Sequence, residues 1–360
     1  MNSNIAPKYY FDTKIVELEK STIFKKNWLF VGFKSELPEH NDFITLNLVD
    51  IPIVIQNFNG ILKAYLNVCS HRFSILQSEK KGNRALVCPY HGWAYNDKGI
   101  PFGIPKQPYF KEFTNQELCS LKLKEFELDF CGDFMFVKLE ESSKSLMDYL
   151  GQFFLDLERI SYAKSKLIDT NAFMINANWK ILVENTLESY HVNLVHANTF
   201  RKLGAKGLNF LFDGLHSCWD AELIQKVDDE KLKKIHRNYE PMSYNLDYYK
   251  HIFIYPNLLI SSTYGISFNF SLIDCIDQEN SFFTSYVYTA KNNNNNAVTE
   301  YYESSLKEFN RSVFDEDKAI CELVQRGVAN SELQGLLSDE EERVHVFQKE
   351  YLKQIHEGIH

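Results

Sequence analysis

The sequence predicts an α+β protein in two parts: a small antiparallel β module, then a larger α+β domain built on a mostly antiparallel sheet. Three observations predict it. The 360 residues suffice for two domains at about 150 residues each. From Phe43 to about Leu139 the local signals are those of short strands and turns. Beyond Glu140 a helical period appears and is followed by further strand-like runs and a helical tail.

In the first part, residues 44–49 and 51–55 are strand-like runs separated by Asp50. Asn59-Gly60, between residues 51–56 and 61–68, predicts a two-residue hairpin. Lys81-Gly82-Asn83 and Asp97-Lys98-Gly99 mark further turns, and residues 133–139 form a last strand. The second part opens with apolar residues at Leu146, Tyr149, Leu150, Phe153, Phe154 and Leu157, a helix over 145–160. A short strand is expected over 172–175, a helix over 178–195, and strands over 251–262, 267–273 and 281–289. Helices are expected over 300–326 and 338–359, and Asn292 to Asn296 reads as a solvated loop. The domain boundaries expected are 27–140 for the β module and 1–26 with 141–360 for the larger domain.

Lys+Arg 39 against Asp+Glu 48 leaves a net charge of −9 with no basic block, which argues against nucleic acid or a membrane surface as the partner. The N-terminus lacks the basic-then-apolar pattern of a signal peptide. No apolar run approaches the ~18 residues needed to cross a bilayer, so a cytoplasmic location is expected. Seven scattered cysteines do not make a disulfide framework. In a reducing compartment, closely spaced Cys and His are therefore first candidates for metal ligands.

One such set stands in the β module. Cys69-Ser-His71 and Cys88-Pro-Tyr-His91 each follow a strand and each offer one thiolate and one imidazole. Two thiolates and two neutral nitrogens suit either a tetrahedral zinc ion or a Rieske [2Fe–2S] cluster. Mixing Cys and His in both loops favours the cluster, because both Cys can hold one iron and both His the other. Gly82, Pro89 and Gly92 give the loops tight backbone.

Cys69-Ser-His71-Arg72 together with Cys88-Pro-Tyr-His91-Gly-Trp93 resembles the Rieske motif of aromatic-ring-hydroxylating oxygenase large subunits, a family with choline-monooxygenase-like members. The resemblance covers essentially the whole chain. One departure is Phe73, where a Gly is common in the family.

A cluster alone moves electrons, so chemistry needs a second site. The best candidate is the segment from Asn178 through Glu188 and His191 to His196. Five positions on a regular helix put the two histidines roughly 140° apart. Either the helix ends near Leu194 or its backbone kinks to bring His196 round. The resemblance implies a mononuclear Fe(II) held by His191, His196 and a distant carboxylate, the facial triad that leaves positions for O2. Phe314-Asp315-Glu316-Asp317 resembles the family's acidic helix, and its register against Gln325 favours Asp317, with Asp315 and Glu316 as alternatives. Glu188, three residues before His191, falls on the same helical face. By resemblance it hydrogen-bonds His191 and reaches His91 of a neighbouring subunit. Most family members carry Asp there. Asn185 occupies a frequent supporting position.

The resemblance implies a division of labour. Single electrons pass through the cluster to the iron, O2 binds once substrate is seated, and the substrate is hydroxylated, dihydroxylated or oxidatively demethylated. It also implies a head-to-tail homotrimer, with or without a small subunit, that closes the electron path between neighbours. None of the 15 glycines forms a dinucleotide-binding loop, and no second Cys set has ferredoxin spacing. A separate NAD(P)H-linked reductase, with or without a ferredoxin, is therefore expected. The substrate pocket is expected from residues 199–212 and 251–286, whose Phe, Leu, Ile and Tyr suit an aromatic ring or another compact organic molecule. Aromatic faces would also hold a quaternary ammonium, and Tyr255-Pro256-Asn257-Leu258 keeps that reading open. Competing classes are a non-catalytic electron carrier and a zinc-stabilised binding module.

Overall fold

The computed structural model describes residues 1–105, 114–141, 144–204, 207–224, 229–240, 244 and 246–357. The chain divides into two compact units, Trp28–Leu146 and Met1–Asn27 with Met147–His360. Both carry antiparallel sheets.

The smaller unit holds strands β1 (Leu29–Phe33), β2 (Asp42–Leu48), β3 (Ile51–Phe58), β4 (Ile61–Leu66), β5 (Lys81–Asn83), β6 (Ala94–Tyr95), β7 (Pro101–Gly103), β8 (Glu125–Cys131) and β9 (Phe134–Lys138). Seven form one sheet in the order β1-β9-β8-β4-β3-β2-β5, and β6 pairs with β7. Asn59 and Gly60 sit at φ 54° and 91° and join β3 to β4 with Phe58 opposite Ile61. Positive φ at both central residues is what a tight hairpin of the right twist demands, and Asn-Gly supplies it at low cost.

The larger unit holds β10 (Lys164–Ile175), β11 (Leu208–Asp213), β12 (His216–Ala221), β13 (Tyr239–Glu240), β14 (Tyr249–Ile254), β15 (Leu258–Thr263), β16 (Ser267–Cys275) and β17 (Ser281–Asn292). Its sheet runs β10-β17-β16-β15-β14-β12-β11, with β13 on β17. The strand expected over 251–262 is two strands, because Tyr255-Pro256-Asn257 turns the chain and pairs Ile254 with Leu258. The strand expected over 172–175 is the end of a twelve-residue one. β10 is the terminal strand of the sheet order among the described residues, and its polar residues hide the pattern.

The helices that matter for the site are α1 (Thr13–Glu19), α2 (Trp179–Leu187), α3 (Val192–Val195), α4 (Ala297–Val328) and α5 (Glu342–Glu357). The helix expected over 178–195 is therefore two pieces, α2 and α3, with Glu188 extended at φ −128°, ψ 170° between them. The residues 358 and 359 of the expected last helix lie outside the described residues.

One buried ionic cluster fixes where α2 starts. Lys180 Nζ lies 2.5 Å from Glu19 Oε1 and donates to Asn178 Oδ1 at 2.7 Å. Both charged side chains are fully buried. Trp179 Nε1 donates to Glu19 Oε2 at 2.8 Å and the Tyr351 hydroxyl to Glu19 Oε1 at 2.5 Å. Asn178 caps α2 through its side chain, while its own N–H donates to Gln325 Oε1 at 2.8 Å. The ends of α1 and α2, the middle of α5 and the last turns of α4 are thus tied at one point. Farther along α4, Arg311 clasps Asp169 of β10 with two bonds of 2.8 and 2.9 Å, and this guanidinium holds the Asp169 carboxyl below the usual carboxylate range.

Removing one partner of a buried pair strands the other in a dry interior, which costs about 3–5 kcal/mol. Glu19→Ala is expected to lower unfolding free energy by that order in a urea titration. A loss below about 1 kcal/mol would mean that Lys180 finds water or another acceptor.

Candidate active site and metal centres

In the smaller unit the two Cys/His loops have the same backbone plan. Isolated bridges Val68–Ile75 and Val87–Ala94 close their bases. In the first loop the Phe73 N–H returns to the Cys69 carbonyl at 3.0 Å, and in the second the Gly92 N–H returns to the Cys88 carbonyl at 2.9 Å. Both residues take positive φ, 62° and 75°. The glycine that the first loop lacks is thus replaced by a phenylalanine in a left-handed conformation, with its side chain exposed. Such a conformation costs an L-residue about 1–2 kcal/mol.

Cys69 and Cys88 are buried free thiols. The rings of His71 and His91 lie 4.8 Å apart, and Trp93 stacks on His71 at 4.7 Å with planes 2° apart. Burial, with the charges of His91 and Arg72, holds the His71 pKa below the ordinary histidine value, which favours the neutral ring a metal needs. The Tyr95 hydroxyl lies 3.1 Å from Cys69 Sγ and accepts from the Ser70 N–H at 3.0 Å. Burial, and then its bond to Cys69, raise the Tyr95 pKa well above the usual phenol range, so it keeps a proton to donate.

In the larger unit His191 opens the single turn of α3, which ends at Val195, and His196 leaves the helix there at φ −97°, ψ 39°. The Glu188 carboxylate accepts from the backbone N–H groups of Tyr190 and His191, as an N-cap side chain does for the turn that follows it. Its other oxygen meets His191 Nδ1. The contact expected from a shared helix face is therefore made instead across a turn. The ring centroids of His191 and His196 lie 5.0 Å apart. Their Nε2 atoms lie 3.7 and 3.0 Å from a single oxygen, Asp317 Oδ1 on α4. Asn185 Nδ2 donates to that same oxygen at 2.8 Å.

Of the three consecutive acids, Asp315 is exposed and Asp317 faces both histidines. Glu316 accepts from Thr199 Oγ1 at 2.6 Å and lies 2.7 Å from His196 Nδ1. Each histidine therefore has a carboxylate on Nδ1 and turns Nε2 toward Asp317. Burial works against charge on His196, but Asp317 and then Glu316 outweigh it and raise its pKa above the ordinary value. One ligand atom each from His191, His196 and Asp317 lies within 4.8 Å of the others.

The ring hydroxylating alpha subunit (catalytic domain) family matches residues 154–357, and the Rieske [2Fe–2S] domain family matches residues 27–114. The chain belongs to the ring-hydroxylating alpha-subunit family. It is 34% identical to the glycine betaine monooxygenase oxygenase subunit of Chromohalobacter salexigens over 54% of this chain and 43% of that protein. It is 33% identical to the anthranilate 1,2-dioxygenase large subunit of Acinetobacter baylyi over 54% of this chain and 42% of that protein. The chain thus spans about half the length of the curated relatives it matches. Its fold is that of a quaternary ammonium Rieske monooxygenase solved with L-carnitine, at TM-score 0.79 and 21% identity over 98% of this chain and 95% of the other. It is equally that of naphthalene 1,2-dioxygenase from a Rhodococcus species bound to indole, at TM-score 0.79 and 18% identity over 98% and 94%.

Membership implies a Rieske [2Fe–2S] cluster and a mononuclear iron. The side chains present fit both: two buried thiols with two neighbouring imidazoles in one unit, and two imidazoles with one carboxylate in the other.

A cavity of about 730 Å³, its open mouth included, borders His191, His196 and Asp317. The expected lining is present in part. Phe200 comes from the stretch 199–212, of which residues 205 and 206 lie outside the described residues, and His251, Leu259, Ser261, Asn269 and Ser271 come from 251–286. Tyr255 is not among the lining residues; it packs on Phe253 and Phe347 in the core. Trp219 and Tyr249 of the sheet and Phe309, Asn310, Val313 and Phe314 of α4 were not expected there. The α4 group sits at spacings of one and four positions, a helical face that the acidic motif could have flagged.

The paired loops give a test of the Phe73 departure. Phe73→Gly is expected to be neutral or stabilising in thermal melts. Gly92→Ala should cost about 1–2 kcal/mol, since its new Cβ would also stand 3.1 Å from Pro105 Cγ.

Proposed function

We propose that this chain is the oxygenase component of a Rieske non-heme iron system that hydroxylates a small organic substrate with O2. One observation carries the reading: His191, His196 and Asp317 converge on the wall of an aromatic-sided cavity, in a chain that also bears the two Cys/His loops. A carrier that only moved electrons would need neither that convergence nor the cavity.

In this reading residues 27–140 are the Rieske domain, with Cys69, His71, Cys88 and His91 as cluster ligands. Residues 1–26 with 141–360 are the catalytic domain, with His191, His196 and Asp317 as iron ligands. When bound, the cluster supplies single electrons and the iron supplies activation of dioxygen. The protein's own part is positional. Glu188 and Glu316 hold a proton on Nδ1 of each histidine and so turn the Nε2 lone pairs to the metal. Asn185 fixes Asp317 by donating to Oδ1. Phe200, Tyr249, Phe309 and Phe314 give the substrate apolar surface and exclude water. Those faces suit an aromatic ring. They also suit a quaternary ammonium held by cation–π attraction; the glycine betaine monooxygenase subunit among the relatives is consistent with that second reading, as the anthranilate dioxygenase subunit is with the first.

The electrons come from a separate NAD(P)H-linked reductase, with or without a ferredoxin. The working form is a homotrimer, with or without a small subunit, in which Glu188 links His191 to His91 of a neighbouring copy. No helix among the described residues is long and apolar enough to cross a membrane. Seven free cysteines suit a reducing cytoplasm.

Protein reconstituted with iron and sulfide is expected to show a Rieske EPR signal on reduction. With a substrate panel and ¹⁸O2 it should form labelled product only when a reductase is added. Zinc without iron or sulfide, or vigorous turnover on NADH alone, would overturn the reading. His191→Ala should abolish turnover and leave the cluster spectrum intact. Glu316→Ala should weaken retention of the mononuclear iron about 10–100-fold, while Asp315→Ala should leave it unchanged, as judged by iron content after dialysis.

A further inference from the structure

Arg343 opens α5 and is fully buried. Its Nε donates to Ser217 Oγ at 2.9 Å, Nη2 to the Ser217 carbonyl at 3.2 Å, and Nη1 lies 3.2 Å from His251 Nδ1. No carboxylate among the described residues forms an ion pair with it. Burial pushes its pKa down to about 9, so it remains a cation at neutral pH. A buried charge without a counterion is costly, and here it stands directly behind a side chain of the cavity wall.

A guanidinium only donates, so His251 Nδ1 accepts and the proton of the neutral ring sits on Nε2. Burial and the Arg343 charge both hold the His251 pKa well below the ordinary value, so the ring is neutral. His251 lines the cavity, and nothing among the described residues accepts from its Nε2. Trp219 stacks on His251 with centroids 5.7 Å apart and planes 16° apart. Its ring lines the same cavity, while its Nε1–H is buried and has no acceptor. The sheet wall therefore presents one unused donor, His251 Nε2–H, backed by an uncompensated cation. The acids of the cavity, Glu188 and Asp317, are both engaged by the histidines.

We propose that His251, stacked on Trp219 and backed by Arg343, forms an anion subsite that receives a carboxylate of the substrate. The inference rests on the oxygenase reading and narrows its substrates to small organic acids whose apolar or trimethylammonium part lies against the aromatic walls. His251 donates to a carboxylate oxygen, Trp219 holds the His251 ring by stacking, and Arg343 acts through His251 by fixing its tautomer and supplying the field.

The test compares matched ligands on the whole iron-loaded chain by titration calorimetry: benzoate against benzyl alcohol, phenylacetate against 2-phenylethanol, and glycine betaine against choline. In at least one pair the carboxylate should bind about tenfold tighter or better, the worth of a charge-assisted hydrogen bond. His251→Phe should shrink that advantage to threefold or less. Arg343→Met should do the same if it folds, and His251→Phe keeps the test alive if it does not. Equal affinity within every pair, no binding of any carboxylate, or an advantage that survives His251→Phe would overturn the subsite. Failure of the oxygenase reading looks different: carboxylate would bind, and no oxygen would be transferred with a reductase present.

Discussion

A single dry ion pair holds the active region in place. Glu19 and Lys180 meet without water, and Trp179, Tyr351 and Asn178 satisfy the remaining hydrogen-bonding capacity of the pair. Such a pair is not a strong source of net stability, since desolvation consumes most of the Coulomb gain. Its value is positional. It sets the axial start of α2, and Gln325 ties that start to α4. The residues that follow on α2 and those eight positions earlier on α4 then meet at Asn185 and Asp317.

The same logic of one contact fixing the next applies at the histidines. Neither imidazole is oriented by packing alone. Each is held by a carboxylate at one nitrogen so that the other is presented to Asp317. Glu188 adds a backbone role, because it caps the turn that carries His191. The residue at which the longer helix stops, Glu188, is the one that orients the first ring.

Much of this was legible in the sequence. The Asn-Gly hairpin, the change of character after the β module, and the spacing of Cys69, His71, Cys88 and His91 all report local chemistry, which a sequence carries directly. The incompatibility of His191 and His196 with a regular helix was also visible; it required either a helix end near Leu194 or a kink, and in the structure the helix ends at Val195. The partner of His196 Nδ1 was not visible. Glu316 is adjacent to Asp317 in sequence, and only the packing of α4 against α3 tells which acid meets which nitrogen. Trp219 and Arg343 were missed for a related reason. One lies on a strand of weak alternation and the other at the start of a surface-patterned helix, and their meeting at His251 is a matter of tertiary contact alone.

The placement of the cavity wall and of Asp317 on one helix, α4, has a practical consequence. Phe309, Asn310, Val313 and Phe314 border the cavity, and Asp317 follows Phe314 by three positions, less than one helical turn. Reshaping that helix to widen the cavity would disturb the carboxylate that faces both histidines. Leu259, Ser261 and Ser271 project from the sheet instead. An engineer or natural drift could enlarge the chamber there while leaving the convergence of His191, His196 and Asp317 alone.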